Sequence, residues 1–227
     1  MKQYAVIVAG GRGVRMQSDL PKQFISIGGN PVLMHTLRAF NSYQESLPLI
    51  VVLPEHEHDR WHFLCQEFSF KIPHTLIAGG TCRPHSVRNG LREINEPDSL
   101  VAIHDEVRPL VSIDLIARSF QTAQKHGAAI ASVPLKDSIR EVTVNGSVSR
   151  DRSRYRLMQT PQTFRTSLLR KAYDKVSPLE NYTDEASIVE AYGEEITLID
   201  GEYRNLKITT PEDLRVAEAF LSQKASQ

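Results

Sequence analysis

The apolar run Tyr4-Ala5-Val6-Ile7-Val8 sets the tightest limit on what this chain can become. A strand made from such a run has no polar face, so it must be covered on both sides. Leu49-Ile50-Val51-Val52-Leu53, Leu100-Val101-Ala102-Ile103-His104 and Ala128-Ala129-Ile130-Ala131-Ser132-Val133 repeat the pattern. Between these runs lie segments with apolar residues at helical spacing, such as Val32, Leu33, Thr36, Leu37 and Phe40 behind Pro31. Alternation of buried strands with amphipathic helices specifies an α/β fold: a mostly parallel twisted sheet, right-handed crossovers and helices on both faces. A chain of 227 residues with 41% hydrophobic content fits one such domain spanning residues 1–227.

Further elements follow from the same periodicities. Trp61, Leu64, Cys65 and Phe68 mark a helix, residues 74–77 a short strand, and residues 83–94 a helix entered under Gly79-Gly80. Near the C-terminus we expect a helix over about 165–173, a helix N-capped by Thr183, a strand over 196–199 and a last helix over 211–221. Residues 137–158 break the pattern. They alternate polar and apolar residues around Asn145-Gly146, the signature of a hairpin, and are too polar for the sheet interior. An exposed two-stranded ribbon needs something to pack on, so this segment reads as a projecting arm that packs on a second subunit.

Charge and cysteine content exclude several function classes. Lysine plus arginine and aspartate plus glutamate each number 27, so no overall field draws the chain to nucleic acid or an anionic membrane. The two cysteines, Cys65 and Cys82, make no disulfide framework or C-x-x-C pair and read as small buried apolar groups. Met1-Lys2-Gln3-Tyr4 leads into a strand rather than a signal peptide, and no run approaches the ~20 apolar residues of a membrane span. These features fit a soluble cytoplasmic protein.

The first strand runs into Ala9-Gly10-Gly11-Arg12-Gly13-Val14-Arg15-Met16 and on to Pro21-Lys22-Gln23. Glycines there let the backbone approach a polyanion, and Arg15 and Lys22 add positive charge. The loop is neither a dinucleotide fingerprint, since Met16 occupies the third glycine position, nor a Walker loop, since no Gly-Lys-Ser/Thr follows. A plain tight turn is the competing reading. Asp105, ending a buried strand, suits a Mg²⁺ ligand, an acid/base group or a structural ion pair, and Arg108 suits a phosphate contact. His104 reads as a hydrogen-bonded strand end, and His58 with His62 as a solvated helix face. Arg150, Arg152, Arg154 and Arg156 alternate as on one face of a strand, either solvated or presenting an arginine to a phosphate. Lys207, between Leu206 and Ile208, either snorkels or belongs to a site.

Taken in order, the Gly-rich loop with Pro21-Lys22-Gln23, His104-Asp105-x-x-Arg108-Pro109, Thr160-Pro161-Gln162, Thr183-Asp184-Glu185-Ala186-Ser187 and Lys207-Ile208-Thr209-x-Pro211-Glu212-Asp213-Leu214 resemble the 2-C-methyl-D-erythritol 4-phosphate cytidylyltransferases. The resemblance covers nearly the whole chain. It implies a Rossmann-like nucleotidyltransferase fold, and a homodimer with a dimerisation arm at about 137–158. It also implies transfer of CMP from CTP to 2-C-methyl-D-erythritol 4-phosphate with Mg²⁺ or another divalent cation, in non-mevalonate isoprenoid biosynthesis. By position, Arg15 and Lys22 resemble the cations that stabilise the transferring phosphate and the pyrophosphate. Arg152, reaching from the partner's arm, and Lys207 resemble the pair that positions the sugar phosphate. Ala9, Gly10, Gly11, Gly13, Gly80, Thr81 and Ser86 match the nucleotide pocket, and Asp105, Arg108, Ser138 and Thr183 match the sugar-phosphate site. Asp105 is also the candidate metal ligand. Thr81 stands where the family commonly has an acid, and Ser138 where threonine is usual. Competing expectations are a ribitol-5-phosphate cytidylyltransferase and a noncatalytic nucleotide-binding protein.

Overall fold

A computed structural model describes residues 1–10 and 20–225. In chain order the elements are β1 (Lys2–Val8), β2 (Ser26–Ile27), β3 (Asn30–Pro31), α1 (Val32–Tyr43), β4 (Leu49–Leu53), α2 (His58–Glu67), β5 (Thr75–Ala78), α3 (Arg83–Arg92) and β6 (Ser99–Asp105). They continue with α4 (Ile113–His126), β7 (Ala128–Pro134), β8 (Ile139–Thr143), β9 (Gly146–Arg150), β10 (Arg156–Arg165), α5 (Thr166–Lys175), α6 (Glu185–Tyr192), β11 (Leu198–Asp200) and α7 (Pro211–Ala225). Among the described residues the central sheet runs β11-β7-β10-β6-β1-β4-β5. Its neighbours pair in parallel except β10, which is antiparallel to both β6 and β7.

Alternation along the strands divides the core as expected. Ala5 and Ile7 of β1 pack with Leu37 and Phe40 of α1, Trp61 of α2 and Phe120 of α4. Tyr4, Val6 and Val8 face the other way, onto Val87 and Leu91 of α3, Leu169 of α5 and Ile188 of α6. The apolar runs are therefore buried on both faces, as their composition requires. A smaller cluster, Ile27, Val32, Val107, Leu110, Ile208 and Ala217, fastens α7 beneath the loop that follows β6. No helix among the described residues is long and apolar enough to cross a membrane.

The structure corrects the sequence reading at several points. The arm is shorter at its C-terminal end than 137–158, because Arg156 begins β10 and Leu157 and Met158 pair with Val133 and Ser132 of β7. The hairpin loop is Val144-Asn145, and Gly146, at φ +134°, already pairs with Thr143. The four alternating arginines share no strand: Arg150 ends β9, Arg152–Arg154 form a 3₁₀ turn and Arg156 opens β10. The cap of α6 is Asp184 rather than Thr183: its carboxylate accepts from the Ser187 N–H at 3.1 Å. Both are capping residue types, and the helix starts one residue later than its first candidate. The expected strand over 196–199 is Leu198–Asp200. Cys65 and Cys82 are only half-buried.

Gly90 of α3 marks a close approach of that helix to the sheet. A Cβ there would lie 2.6 Å from Val6 Cγ1 and 3.1 Å from Val52 Cγ2. Alanine is the better helix former by about 1 kcal/mol, but overpacking a rigid core costs about 1–3 kcal/mol. We expect Gly90→Ala to lower stability by about 1 kcal/mol in urea unfolding, against the gain that helix propensity alone would give.

Candidate active site

β1 has parallel neighbours on both sides, β4 and β6, and the chain leaves it toward β4 and β5 before crossing back to β6. This is the switch point of a doubly wound sheet, where the loops beyond the carboxyl ends diverge and open a crevice. The crevice here is a cavity of about 260 Å³, lined among the described residues by Val8, Gly10, Lys22, Gly80, Thr81, Cys82, Arg83, Ser86, Asp105, Glu106 and Lys207.

Asp105 lies at its centre. The residue is 6% exposed, and its carboxylate meets Arg83 Nη2 at 3.4 Å, Arg108 Nε at 3.3 Å and Lys207 Nζ at 3.1 Å. Burial opposes its charge, but Arg83, Lys207 and Arg108 outweigh burial and hold the carboxyl well below the usual carboxylate range. The next residue is pushed the opposite way. Burial raises Glu106, and its cation Lys22, with Nζ 3.3 Å from Oε1, offsets only part of that.

Arg83 bridges two acids. It donates to Glu185 Oε1 at 2.7 Å while facing Asp105. Burial works against its charge, and Glu185 and Asp105 more than compensate, holding the guanidinium above its ordinary value. Tyr173 donates to the same Glu185 oxygen at 3.1 Å. Glu185 reaches this position because Gln162 Oε1 accepts from the N–H groups of Glu185 and Ala186 at 3.1 and 3.0 Å, tying the start of α6 to β10.

A second polar chain fixes the end of β6. Thr160 Oγ1 accepts from the Asp105 N–H at 3.0 Å and lies 3.0 Å from His104 Nδ1. The Arg108 carbonyl can only accept, so the neutral His104 ring carries its hydrogen on Nε2 and donates to that carbonyl at 3.2 Å, and Nδ1 accepts from the Thr160 hydroxyl. Burial pushes His104 down to about 3 and keeps it neutral. Arg108 Nη1 donates to the Asn205 carbonyl at 2.8 Å, and the Ile208 N–H to the Val107 carbonyl at 2.9 Å. These bonds carry Lys207 to Asp105, so this lysine is paired within the site and does not snorkel.

The cations and carboxylates around the cavity can hold phosphate groups and orient them, and the glycine edges, having no Cβ, let a ligand come close to the backbone. The family profile for 2-C-methyl-D-erythritol 4-phosphate cytidylyltransferase (IspD) matches residues 3–223. The chain belongs to this family. A protein of that name from Bacteroides thetaiotaomicron is 47% identical over 222 residues, covering 97% of this chain and all of the relative. One from Porphyromonas gingivalis is 46% identical over 224 residues, covering 97% of this chain and 98% of the relative. Among solved structures, the family member from Thermus thermophilus superposes with TM-score 0.81 at 33% identity, covering 98% of this chain and 100% of that one. 4-Diphosphocytidyl-2C-methyl-D-erythritol synthase from Anaerococcus prevotii gives 0.83 at 30%, covering 97% and 96%.

For a member of this family, the residues expected from sequence fall into three groups. Gly10, Lys22, Gly80, Thr81, Ser86, Asp105 and Lys207 line one cavity, with Ala9 buried at the end of β1 and Arg108 behind Asp105. Ser138, Arg152 and Thr183 are exposed and do not line it in this chain, and Arg152 donates to the Lys136 carbonyl. Gly11, Gly13 and Arg15 lie outside the described residues. Sequence reasoning missed Arg83, Glu106 and Glu185. Arg83 carried a signal: a cation in the first turn of a helix opposes the helix dipole and needs acids to hold it.

His104 makes the fold acid-sensitive. Unfolded histidine takes up a proton near pH 6.5 and the folded one only near 3, so no penalty exists above 6.5 and it grows as pH falls through this window. Between pH 7 and pH 5 this one group removes about 2 kcal/mol of stability. Denaturant titrations at the two pH values should show that component disappear in His104→Gln.

Proposed function

We propose that this chain transfers CMP from CTP to 2-C-methyl-D-erythritol 4-phosphate, releasing pyrophosphate, as a cytoplasmic homodimer. The observation that carries this reading is the cavity at the switch point, where Lys22, Arg83 and Lys207 converge beside Gly10 and Gly80, in a chain of this family. Beyond CTP and the sugar phosphate it needs no nucleic-acid or membrane partner.

The reaction asks little covalent chemistry of the protein. A phosphate oxygen of the sugar phosphate, ionised since its second pKa is ~6, attacks the α-phosphorus of CTP. The new O–P bond forms as the bond to the β-phosphate bridging oxygen breaks, and the electron pair leaves with pyrophosphate. No general base is required. What remains is to hold two polyanions in line and to neutralise charge where it grows. In this reading Lys22 meets the triphosphate near the end of β1, and Arg15 shares that role by family resemblance. Lys207 and Arg108, both anchored on Asp105, receive the sugar phosphate together with Ser138, Thr183 and the partner's Arg152. Gly80, Thr81 and Ser86 wall the nucleotide side, and the Thr81 hydroxyl takes the position where family members commonly carry an acid.

The residues present fit a divalent cation such as Mg²⁺. Asp105 and Glu106 place two carboxylates on one wall, and among the described residues Glu106 Oε1 is buried with no hydrogen-bond partner beyond its ion pair with Lys22. One or two carboxylates plus substrate phosphates are the usual Mg²⁺ environment. Asp105 is our candidate ligand, and the bound ion would neutralise phosphate charge.

The arm supports the dimer reading. Val142 is 85% exposed and Val144 fully exposed, on a hairpin whose strands pair only with each other among the described residues. Such a ribbon is marginal alone, and its valines suit the surface of a second copy.

Pyrophosphate release from CTP with 2-C-methyl-D-erythritol 4-phosphate, compared with ribitol 5-phosphate, tests the assignment. Release with the first substrate and little with the second is expected, and binding of CTP without release would overturn it. Lys22→Ala should lower kcat about a hundredfold while far-UV circular dichroism stays unchanged. Heterodimers of Arg152→Ala with Lys207→Ala subunits should recover part of the activity that each homodimer loses, because one of their two sites keeps both residues.

A further inference from the structure

At the rim of the cavity, three side chains with different chemistry converge. Cys82 Sγ, a ring nitrogen of His85 and a carboxylate oxygen of Glu180 lie within 4.8 Å of one another. Cys82 immediately precedes α3, His85 sits in its first turn, and Glu180 belongs to the 3₁₀ turn Leu179–Asn181. Thiolate, imidazole and carboxylate form a borderline-soft set, unlike the all-oxygen pair of Asp105 and Glu106, and such a set selects zinc-class cations over Mg²⁺.

We propose that Cys82, His85 and Glu180 bind one zinc-class divalent cation, with water as the fourth ligand, at a site separate from the carboxylates of the cavity. Two further observations carry this. His85 Nε2 lies 3.3 Å from Glu180 Oε1. A tetrahedral zinc with bonds of about 2.0 Å to nitrogen and oxygen separates those two atoms by about 3.3 Å, so the pair needs no rearrangement. The other ring nitrogen, Nδ1, lies 2.8 Å from Thr81 Oγ1. That is the outer-shell hydrogen bond that ligating histidines make: with Nδ1–H donating to the hydroxyl, the Nε2 lone pair faces the carboxylate, and a cation between them turns a repulsion into two bonds.

The site also adjoins the substrate cavity. His85 packs so closely on Gly80 that a side chain at Gly80 would overlap it, and the Gly80 N–H donates to Ser86 Oγ at 3.0 Å. A metal joining α3 to the 179–181 turn therefore braces the Gly80-Thr81-Cys82 wall.

The test is a titration of the full-length, chelator-treated protein with Co²⁺ in excess Mg²⁺, followed by displacement with Zn²⁺. One equivalent should bind with a thiolate-to-cobalt charge-transfer band, bleached by Zn²⁺. The band should vanish in Cys82→Ser and persist in Cys65→Ser. Glu180→Gln, at a half-exposed side chain, and Thr81→Val should each weaken metal affinity about tenfold or more with unchanged circular dichroism. No charge-transfer band at saturating Co²⁺, a band retained in Cys82→Ser, or equal affinity in Glu180→Gln and the parent would overturn the proposal.

Discussion

One carboxylate organises this molecule. Asp105 ends the central strand β6, and its buried charge is tolerated only because Arg83, Arg108 and Lys207 surround it. Each cation comes from a different part of the chain: the start of α3, the loop after β6 and the segment before α7. A buried anion penalises any arrangement that leaves it unpaired far more than a well-paired one stabilises the fold. Asp105 thus acts as a registration point: it adds the start of α3 to the loop after β6 and the segment before α7, which Val107, Leu110 and Ile208 already join through apolar contact. Asp105, Arg83 and Lys207 also line the cavity, so the electrostatics that assemble the loops set out cations for phosphate.

Around that point the polar interior is nearly closed on itself. Thr160 joins the Asp105 amide to His104, His104 reaches the Arg108 carbonyl, and Asn205 Nδ2 donates to the Thr160 carbonyl at 2.8 Å. Gln162, two residues further along β10, aims the start of α6 at Arg83 through Glu185. The Thr160-Pro161-Gln162 segment therefore has structural work at both its hydroxyl and its amide, and it belongs to the frame of the cavity rather than to its lining.

Much of this was legible in the sequence and some could not be. Continuous apolar runs announced β1, β4, β6 and β7, because strands buried on both faces have no polar residues to confuse the pattern. β10 escaped notice although it lies between β6 and β7. Its buried Gln159, Thr160, Gln162 and Thr163 are polar residues whose partners lie on other elements, so no local pattern marks them as interior. Lys207 stood out because a lone cation in an apolar segment is conspicuous, whereas Arg83, among other polar residues at a helix start, was not. Arg152 and Ser138 were named through family resemblance, and within one chain they stand apart from the cavity.

The placement of β10 carries a consequence for how the protein is made. A ribosome releases β6 and β7 well before residues 156–165, so for that interval both strands present open, apolar edges with nothing between them. Two such edges could pair directly or capture a neighbour's, and the emerging chain is most prone to aggregate at that stage. The antiparallel insertion of β10 closes both edges at once, and the Gln162 that accompanies it recruits the start of α6. The sheet and the cavity therefore mature together, late in synthesis.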